Sequence, residues 1–299
     1  MPPLYVPHGA SSTGLMESIS LDSGARADEA RTANDRWEVR TEAEPNAAAR
    51  PRDEAIVAKY VDWLTCGVGD RVVDVGCGDG TPIRVLARRG MRTVGVDLRL
   101  WDWPEGLNVL CGDGCRLPFG DDSFDGVGSM TVLEHLEEPE AFLAEIVRVA
   151  KPGGRIVIAA PNMYGSILLH PGDSVTHTGG VPRYAKNFVL HLWKLLESTF
   201  APARVRFERL APDMTNIPEK ASDYDAICAT DPAVVRAILR RNGVRIIHQS
   251  PSLEYEKGRF ARTVSRIVER VPFVRDLFGG IFIVGRKEDG RPVLRPGPT

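Results

Sequence analysis

Val73-Asp74-Val75-Gly76-Cys77-Gly78-Asp79-Gly80 is the stretch that decides the fold. The β-branched run from Arg71 to Val75 reads as a buried strand, since such side chains pack well on a pleated surface. Three alternating glycines follow, and then a helix through Ile83, Val85, Leu86 and Ala87 that stops at Gly90. Glycine lets the backbone turn sharply and lets a ligand approach with no Cβ in the way. The start of the helix offers N–H groups to an anionic group. In open parallel sheets the ligand crevice lies at the carboxyl ends of the strands, where this loop falls.

Strand and helix alternate outward from this loop. Thr93 to Asp97 reads as a second strand, Asn108 to Leu110 as a third and Phe124 to Met130 as a fourth. Pro139 opens a helix through Phe142, Leu143, Ile146 and Val147, ending at Lys151-Pro152-Gly153-Gly154. A fifth strand covers Arg155 to Ala160. Strands separated by helices imply a parallel sheet covered on both faces, an α/β fold. Before it, Pro51 precedes an amphipathic helix with Ile56, Val57, Tyr60, Val61 and Leu64 at helical spacing. After Asn162 the rhythm breaks: a helix is expected over Tyr184 to Ser198 and a strand over Ala203 to Leu210. Then come a helix over Pro232 to Asn242, a strand over Val244 to Gln249, an arginine-rich amphipathic helix over Arg259 to Val271, and a last strand over Gly280 to Gly285.

The chain has 299 residues and a formal charge of −2, with 38 Lys plus Arg against 40 Asp plus Glu. That balance argues against a dedicated nucleic-acid binder, which needs a surplus of positive charge. No apolar run approaches the ~20 residues of a membrane span, and the start has no secretory pattern, so a cytoplasmic protein without integral membrane association is expected. Five scattered cysteines without a Cys-x-x-Cys pair fit reduced thiols and speak against structural zinc. Residues 1–50 read as a mobile tail or cap, 51–288 as one domain, and 289–299, with three Pro between 291 and 299, as a disordered tail.

The loop also discriminates between cofactors. A dinucleotide fingerprint, Gly-x-Gly-x-x-Gly, needs glycine where Thr81 stands. Asp97 ends the second strand about 20 residues beyond the first glycine, a spacing that suits a ribose diol. An NAD-dependent oxidoreductase or epimerase would require that fingerprint, and a non-catalytic binding module is a further alternative.

Several separated elements together resemble a class I S-adenosylmethionine-dependent methyltransferase of the small-molecule, type 11-like kind. They are the stretch 73–80, Val96-Asp97, Gly112-Asp113-Gly114 with Leu117-Pro118-Phe119, Ser123-Phe124-Asp125, Leu133-Glu134-His135, and Val149-Ala150-Lys151-Pro152-Gly153-Gly154. The resemblance implies a Rossmann-like, seven-stranded, mostly parallel sheet with an antiparallel last strand and helices on both faces. It assigns Asp74 to the methionine ammonium of S-adenosyl-L-methionine, and Gly76, Gly78 and Gly80 to close backbone packing on the methionine moiety. Asp97 would bind the ribose hydroxyls and Leu98 the adenine face. Asp113, with Gly114 nearby, would bind the adenine amino group, and Ser129 and Met130 would pass the methionine end. Asp113 in its Gly-Asp-Gly turn also reads as an Asx turn.

The expected acceptor is a hydroxyl on a small metabolite, sugar or natural-product scaffold, with N- and C-methylation left open. A hydroxyl needs its proton removed, which a neutral histidine does near pH 7. His135, just after the fourth strand, is the first candidate base; a helix-start histidine packed under the site is the alternative. His177, in a polar stretch, is a candidate for the acceptor wall, and His191, in an apolar helix, reads as packing. Residues 71–161 form the cofactor half, and 163–230 an insertion expected to supply most of the acceptor pocket. Glu134-His135 resembles part of a metal site in some relatives, but Thr131 stands where those carry a further Glu, so no metal is expected.

Overall fold

The computed structural model describes residues 51–99, 103, 105–163, 180–210, 226–251, 275–276 and 280–290. The expectations for 1–50, for the helix over 259–271 and for the tail from 291 lie outside the described residues. Along the chain run α1 (Pro51–Leu64), β1 (Arg71–Val75), α2 (Thr81–Arg88), β2 (Arg92–Asp97), β3 (Val109–Cys111) and β4 (Phe124–Met130). A 3-10 turn (Leu133–His135), α3 (Pro139–Val149), β5 (Ala150–Ala160) and α4 (Gly180–Phe200) follow. The remaining elements are β6 (Glu208–Arg209), β7 (Cys228–Ala229), α5 (Pro232–Arg241), β8 (Val244–Pro251) and β9 (Ile281–Lys287).

Seven strands form one mostly parallel sheet in the order β3-β2-β1-β4-β5-β9-β8, with a single antiparallel strand. The expected α/β architecture is therefore present. β1 pairs in parallel with β2 and with β4, so Asp74 stands beside Gly95 on one side and Gly128 on the other. β2 pairs in parallel with β3, setting Asp97 beside Cys111. Among the described residues no helix is long and apolar enough to cross a membrane.

The chain divides into two compact units. The first comprises the described residues among 51–130, 141–157 and 286–290. Its β1 and β2 are buried along almost their whole length, and the expected faces of α1 and α3 close on the core: Tyr60, Val61, Leu64, Leu143, Ile146 and Val147 are fully buried. The second comprises the described residues among 131–140 and 158–285. There α5 is buried from Pro232 to Leu239, and Asp231 caps it by accepting from the N–H groups of Ala233 and Val234.

Two expectations are corrected. The strand expected over Ala203 to Leu210 is reduced to Glu208–Arg209, paired antiparallel with Cys228–Ala229 in a separate two-stranded sheet. The backbone before it is engaged elsewhere: Arg204 N–H donates to the Ala201 carbonyl, Arg206 Nη1 donates to the Ala203 and Val205 carbonyls, and Phe207 N–H donates to Glu140 Oε1. The fifth strand begins at Ala150 rather than Arg155. The carbonyls of Arg148, Val149 and Ala150 accept from Asp122 N–H, Ser123 N–H and Lys287 Nζ, which draws the chain out extended as soon as α3 ends.

Candidate active site

In the first unit, β1 delivers Asp74 to a buried position, 2% exposed, where the Tyr60 hydroxyl of α1 donates to its Oδ1. Tyr60 reaches it because Gly128 on the neighbouring strand has no side chain; a Cβ there would run into the Tyr60 hydroxyl. Burial pushes the Asp74 carboxyl up to about 7; the Tyr60 hydrogen bond opposes this, and the charges of Asp97 and Asp79 add to it. A buried carboxylate in a field of other carboxylates is a receptor for a cation.

The glycine loop leaves β1 with Gly76, Gly78 and Gly80 at φ of 77°, 50° and 75°. Its course is fixed at both faces of the Gly78 residue: its N–H donates to Asp97 Oδ2 at 2.8 Å, and its carbonyl accepts from Trp103 Nε1 at 2.8 Å. A Cβ on Gly78 would meet nothing within 4 Å, so this residue borders open space. Gly80 is constrained differently, since a Cβ there would lie 2.9 Å from Leu107.

Asp97, at the end of β2, also accepts from Arg99 N–H at 2.9 Å through Oδ1. The Gly78 and Arg99 N–H groups thus hold the carboxylate in place beside the glycine loop. Leu98 follows it, half-buried. Asp113 accepts from Cys115 N–H at 2.8 Å, the Asx turn that its sequence allows. Gly114 is required by packing: a Cβ would lie 2.5 Å from the Phe142 ring. At the end of β4, Ser129 is 1% exposed and its hydroxyl has no hydrogen-bond partner among the described residues; Met130 is half-buried beside it. Thr131 follows with φ 53°, an uncommon conformation for a β-branched residue and one that concentrates at functional sites.

At the start of α2, Asp79 accepts from Thr81 N–H at 2.9 Å and from the Thr81 hydroxyl at 2.8 Å, which sets a carboxylate beside the helix N-terminus, where its charge disfavours the anionic pyrophosphate of a dinucleotide. The residues do fit S-adenosylmethionine: open space before Gly78, a carboxyl for an ammonium, a carboxylate at the end of β2 for a ribose, and an unsatisfied hydroxyl on Ser129.

In the second unit, His135 ends the 3-10 turn with its Nε2 3.7 Å from Glu134 Oε1. The His135 side chain is 22% exposed while that of Glu134 is 1% exposed. The Glu134 carbonyl accepts from Ile227 N–H, which ties the turn to the start of β7. His177 lies outside the described residues. Among the described residues, no three His, Cys, Asp or Glu side chains form a metal-holding group.

His191 is more than packing. Its Nδ1 lies 2.5 Å from Asp231 Oδ2, and both side chains are fully buried. Burial pushes its pKa down, but the Asp231 hydrogen bond and charge outweigh this, and the net direction is up. Sequence reasoning missed this pair, and also Tyr60 and Trp103 as supports of the loop. The Trp101-Asp102-Trp103 run just after β2 was the available signal for the last.

Residues 73–158 match the family model described as "Methyltransferase domain". The chain is 38% identical over 105 residues to a demethylmenaquinone methyltransferase of Renibacterium salmoninarum, covering 33% of this chain and 44% of that one. It is 36% identical over 110 residues to 24-methylenesterol C-methyltransferase 2 of Arabidopsis thaliana, covering 32% and 30%. The chain thus spans less than half the length of these curated relatives. A solved S-adenosylmethionine-dependent methyltransferase from Mesorhizobium loti shares the fold, with a TM-score of 0.50 at 17% identity over 79% of this chain and 98% of the other. The segment from 73 to 158 is a class I methyltransferase domain, of the family whose cofactor is S-adenosylmethionine.

Proposed function

We propose that this chain transfers a methyl group from S-adenosylmethionine to a small-molecule acceptor. The observation that carries the reading is the pair of carboxyls on adjacent strands, Asp74 and Asp97, flanking a loop whose Gly78 borders open space. When bound, the cofactor supplies a methyl carbon on a sulfonium, already activated for in-line displacement.

The chain's own residues then bind, orient and move a proton. Asp74, held by Tyr60, receives the ammonium, and Asp97 receives the ribose hydroxyls. Asp113 and Leu98 serve the adenine, while Gly76, Gly80, Gly114, Ser129 and Met130 complete the wall. His135 takes the proton of the acceptor hydroxyl, and the Glu134 carboxylate beside it steadies the imidazolium that results. Residues 163–230, His177 among them, supply the acceptor side. Carbon methylation is the second reading, favoured by the name of the Arabidopsis relative; there His135 takes the proton from carbon instead.

Labelled-methyl transfer into extracts of the source cell, with mass identification of the product, tests the reading. A labelled small molecule heavier by one CH₂ is expected. His135→Ala is expected to cut turnover while leaving S-adenosylhomocysteine affinity intact. No labelled product contradicts the activity, and full turnover by His135→Ala contradicts the base.

A further inference from the structure

We propose that the second unit carries a separate site for a phosphate group borne on a small organic body. A cavity of about 540 Å³ opens between α4, α5, β8 and the Arg275–Asp276 turn. Arg236, Arg240 and Arg275 line it, and Asp276 is the single carboxylate among its described lining residues; His248 and Gln249 add to the polar wall. The site is independent of the methyl-transfer reading, since none of these residues belongs to the cofactor crevice.

The arginines are held in place rather than scattered. Arg236 Nη1 donates to Asp276 Oδ2 at 2.8 Å and to Gln249 Oε1 at 2.9 Å. Arg275 donates through Nε to Asp276 Oδ1 at 3.3 Å and through Nη2 to Gln249 Oε1 at 3.1 Å. Gln249 Nε2 closes the network on Asp276 Oδ1 at 2.6 Å. Asp276 is itself anchored by Asn162 Nδ2, which donates to its backbone carbonyl at 3.0 Å. One carboxylate and one amide thus fix two guanidinium planes. The Arg236 and Asp276 side chains are 11% and 1% exposed, so this is a built arrangement.

Neutralising Asp276 needs one arginine, and three are present. The Arg240 guanidinium forms no hydrogen bond or ion pair among the described residues, and burial together with the Arg236 and Arg275 charges outweighs the Asp276 charge and pushes its pKa below the ordinary value. Counted over these side chains, three positive charges face one negative, an excess that matches a dianion. Guanidinium forks suit the geometry of phosphate oxygens. The cavity is within the usual range of small-molecule sites, and larger than a bare phosphate requires. Leu195 and Ile246 offer the remaining space an apolar wall.

A phosphate of this kind comes either on a soluble ester or on a lipid headgroup. α4, which lends Leu195 to the wall, also exposes Val189, Trp193, Leu196 and Phe200 at helical spacing, so both sources are tested. The full chain is titrated with inorganic pyrophosphate by calorimetry. It is also sedimented with vesicles of phosphatidylglycerol or of phosphatidylcholine. Pyrophosphate binding is expected, weakened about tenfold or more by Arg240→Gln, less by Arg240→Lys, and unchanged by Arg245→Gln on the exposed side of β8. Capture by phosphatidylglycerol vesicles that Arg240→Gln abolishes assigns the phosphate to a lipid; pyrophosphate binding without capture assigns it to a soluble ester. S-adenosylhomocysteine affinity stays the same in Arg240→Gln. Absence of both pyrophosphate binding and phosphatidylglycerol capture, or binding that Arg240→Gln and Arg245→Gln alter equally, overturns the proposal.

Discussion

On the proposed reading, Asp74 exchanges a proton as it takes up the cofactor's ammonium. Its carboxyl titrates at about 7 because burial disfavours its charge, and an ammonium beside it reverses that preference. S-adenosylhomocysteine binding near pH 7 is therefore expected to release a proton. The heat of binding then varies with the ionisation enthalpy of the buffer, and affinity rises from pH 6 to 8. Asp74→Asn is expected to abolish both effects; a buffer-independent heat in the wild type would show that Asp74 is not the ammonium's partner. At Asp97 the expectation is a loss of about 1–3 kcal/mol in S-adenosylhomocysteine affinity on substitution by Ala, from charge-assisted hydrogen bonds. Gly78→Val, which places a branched side chain in the open space before the loop, is expected to weaken the same binding by more than tenfold. Equal affinity in calorimetry would remove Gly78 from the crevice wall.

Among the elements, α2 separates the cofactor classes. Its first N–H and the Thr81 hydroxyl both donate to Asp79, the exposed residue before the N-cap Gly80, so Asp79→Ala is expected to cost about 0.5–1.5 kcal/mol of stability for the lost hydrogen bonds. Thermal or denaturant unfolding measures this, and an unchanged midpoint contradicts the contribution of Asp79. Most of the strand–helix rhythm was legible, because runs such as Arg71 to Val75 are buried on both faces and their pattern reflects nothing else. Glu208–Arg209 shows where legibility fails. The side chains from Ala203 to Leu210 alternate as a strand's do, yet a ladder also needs a free backbone, and Arg206 and Glu140 claim it. At the site the positions of the glycines and of Asp97 at its strand end were legible from their spacing, while Asp74 was singled out only by the family resemblance. Tyr60, Trp103 and the His191–Asp231 pair were not legible, because each depends on a partner 14 to 40 residues away that local pattern does not encode.

Over the whole molecule, the shifted groups set how stability depends on pH. Asp74 has a folded value above its unfolded one, so the folded state holds its proton more tightly. Its contribution is fully present below about pH 4 and is lost as pH rises through about 7. His191, raised by Asp231, acts in the same direction, and its contribution is lost as pH rises through its folded value. Asp125 acts in the opposite sense: burial pushes it up, but Lys151 and the Arg71 N–H hold it lower, so its contribution is lost as pH falls. The melting temperature of the ligand-free protein is expected to decline between pH 6 and 8, and Asp74→Asn is expected to flatten much of that slope. A slope unchanged in Asp74→Asn would mean that its carboxyl is already ionised at pH 6.

The central claim is that the loop from Gly76 to Gly80 and the carboxylate of Asp97 hold S-adenosylmethionine. Calorimetric titration of the full chain with S-adenosylhomocysteine, set beside NAD, tests it most directly. Saturable binding of S-adenosylhomocysteine that Asp97→Ala weakens, with no heat from NAD, is the predicted result. Binding of NAD alone, or S-adenosylhomocysteine binding indifferent to Asp97, would contradict it.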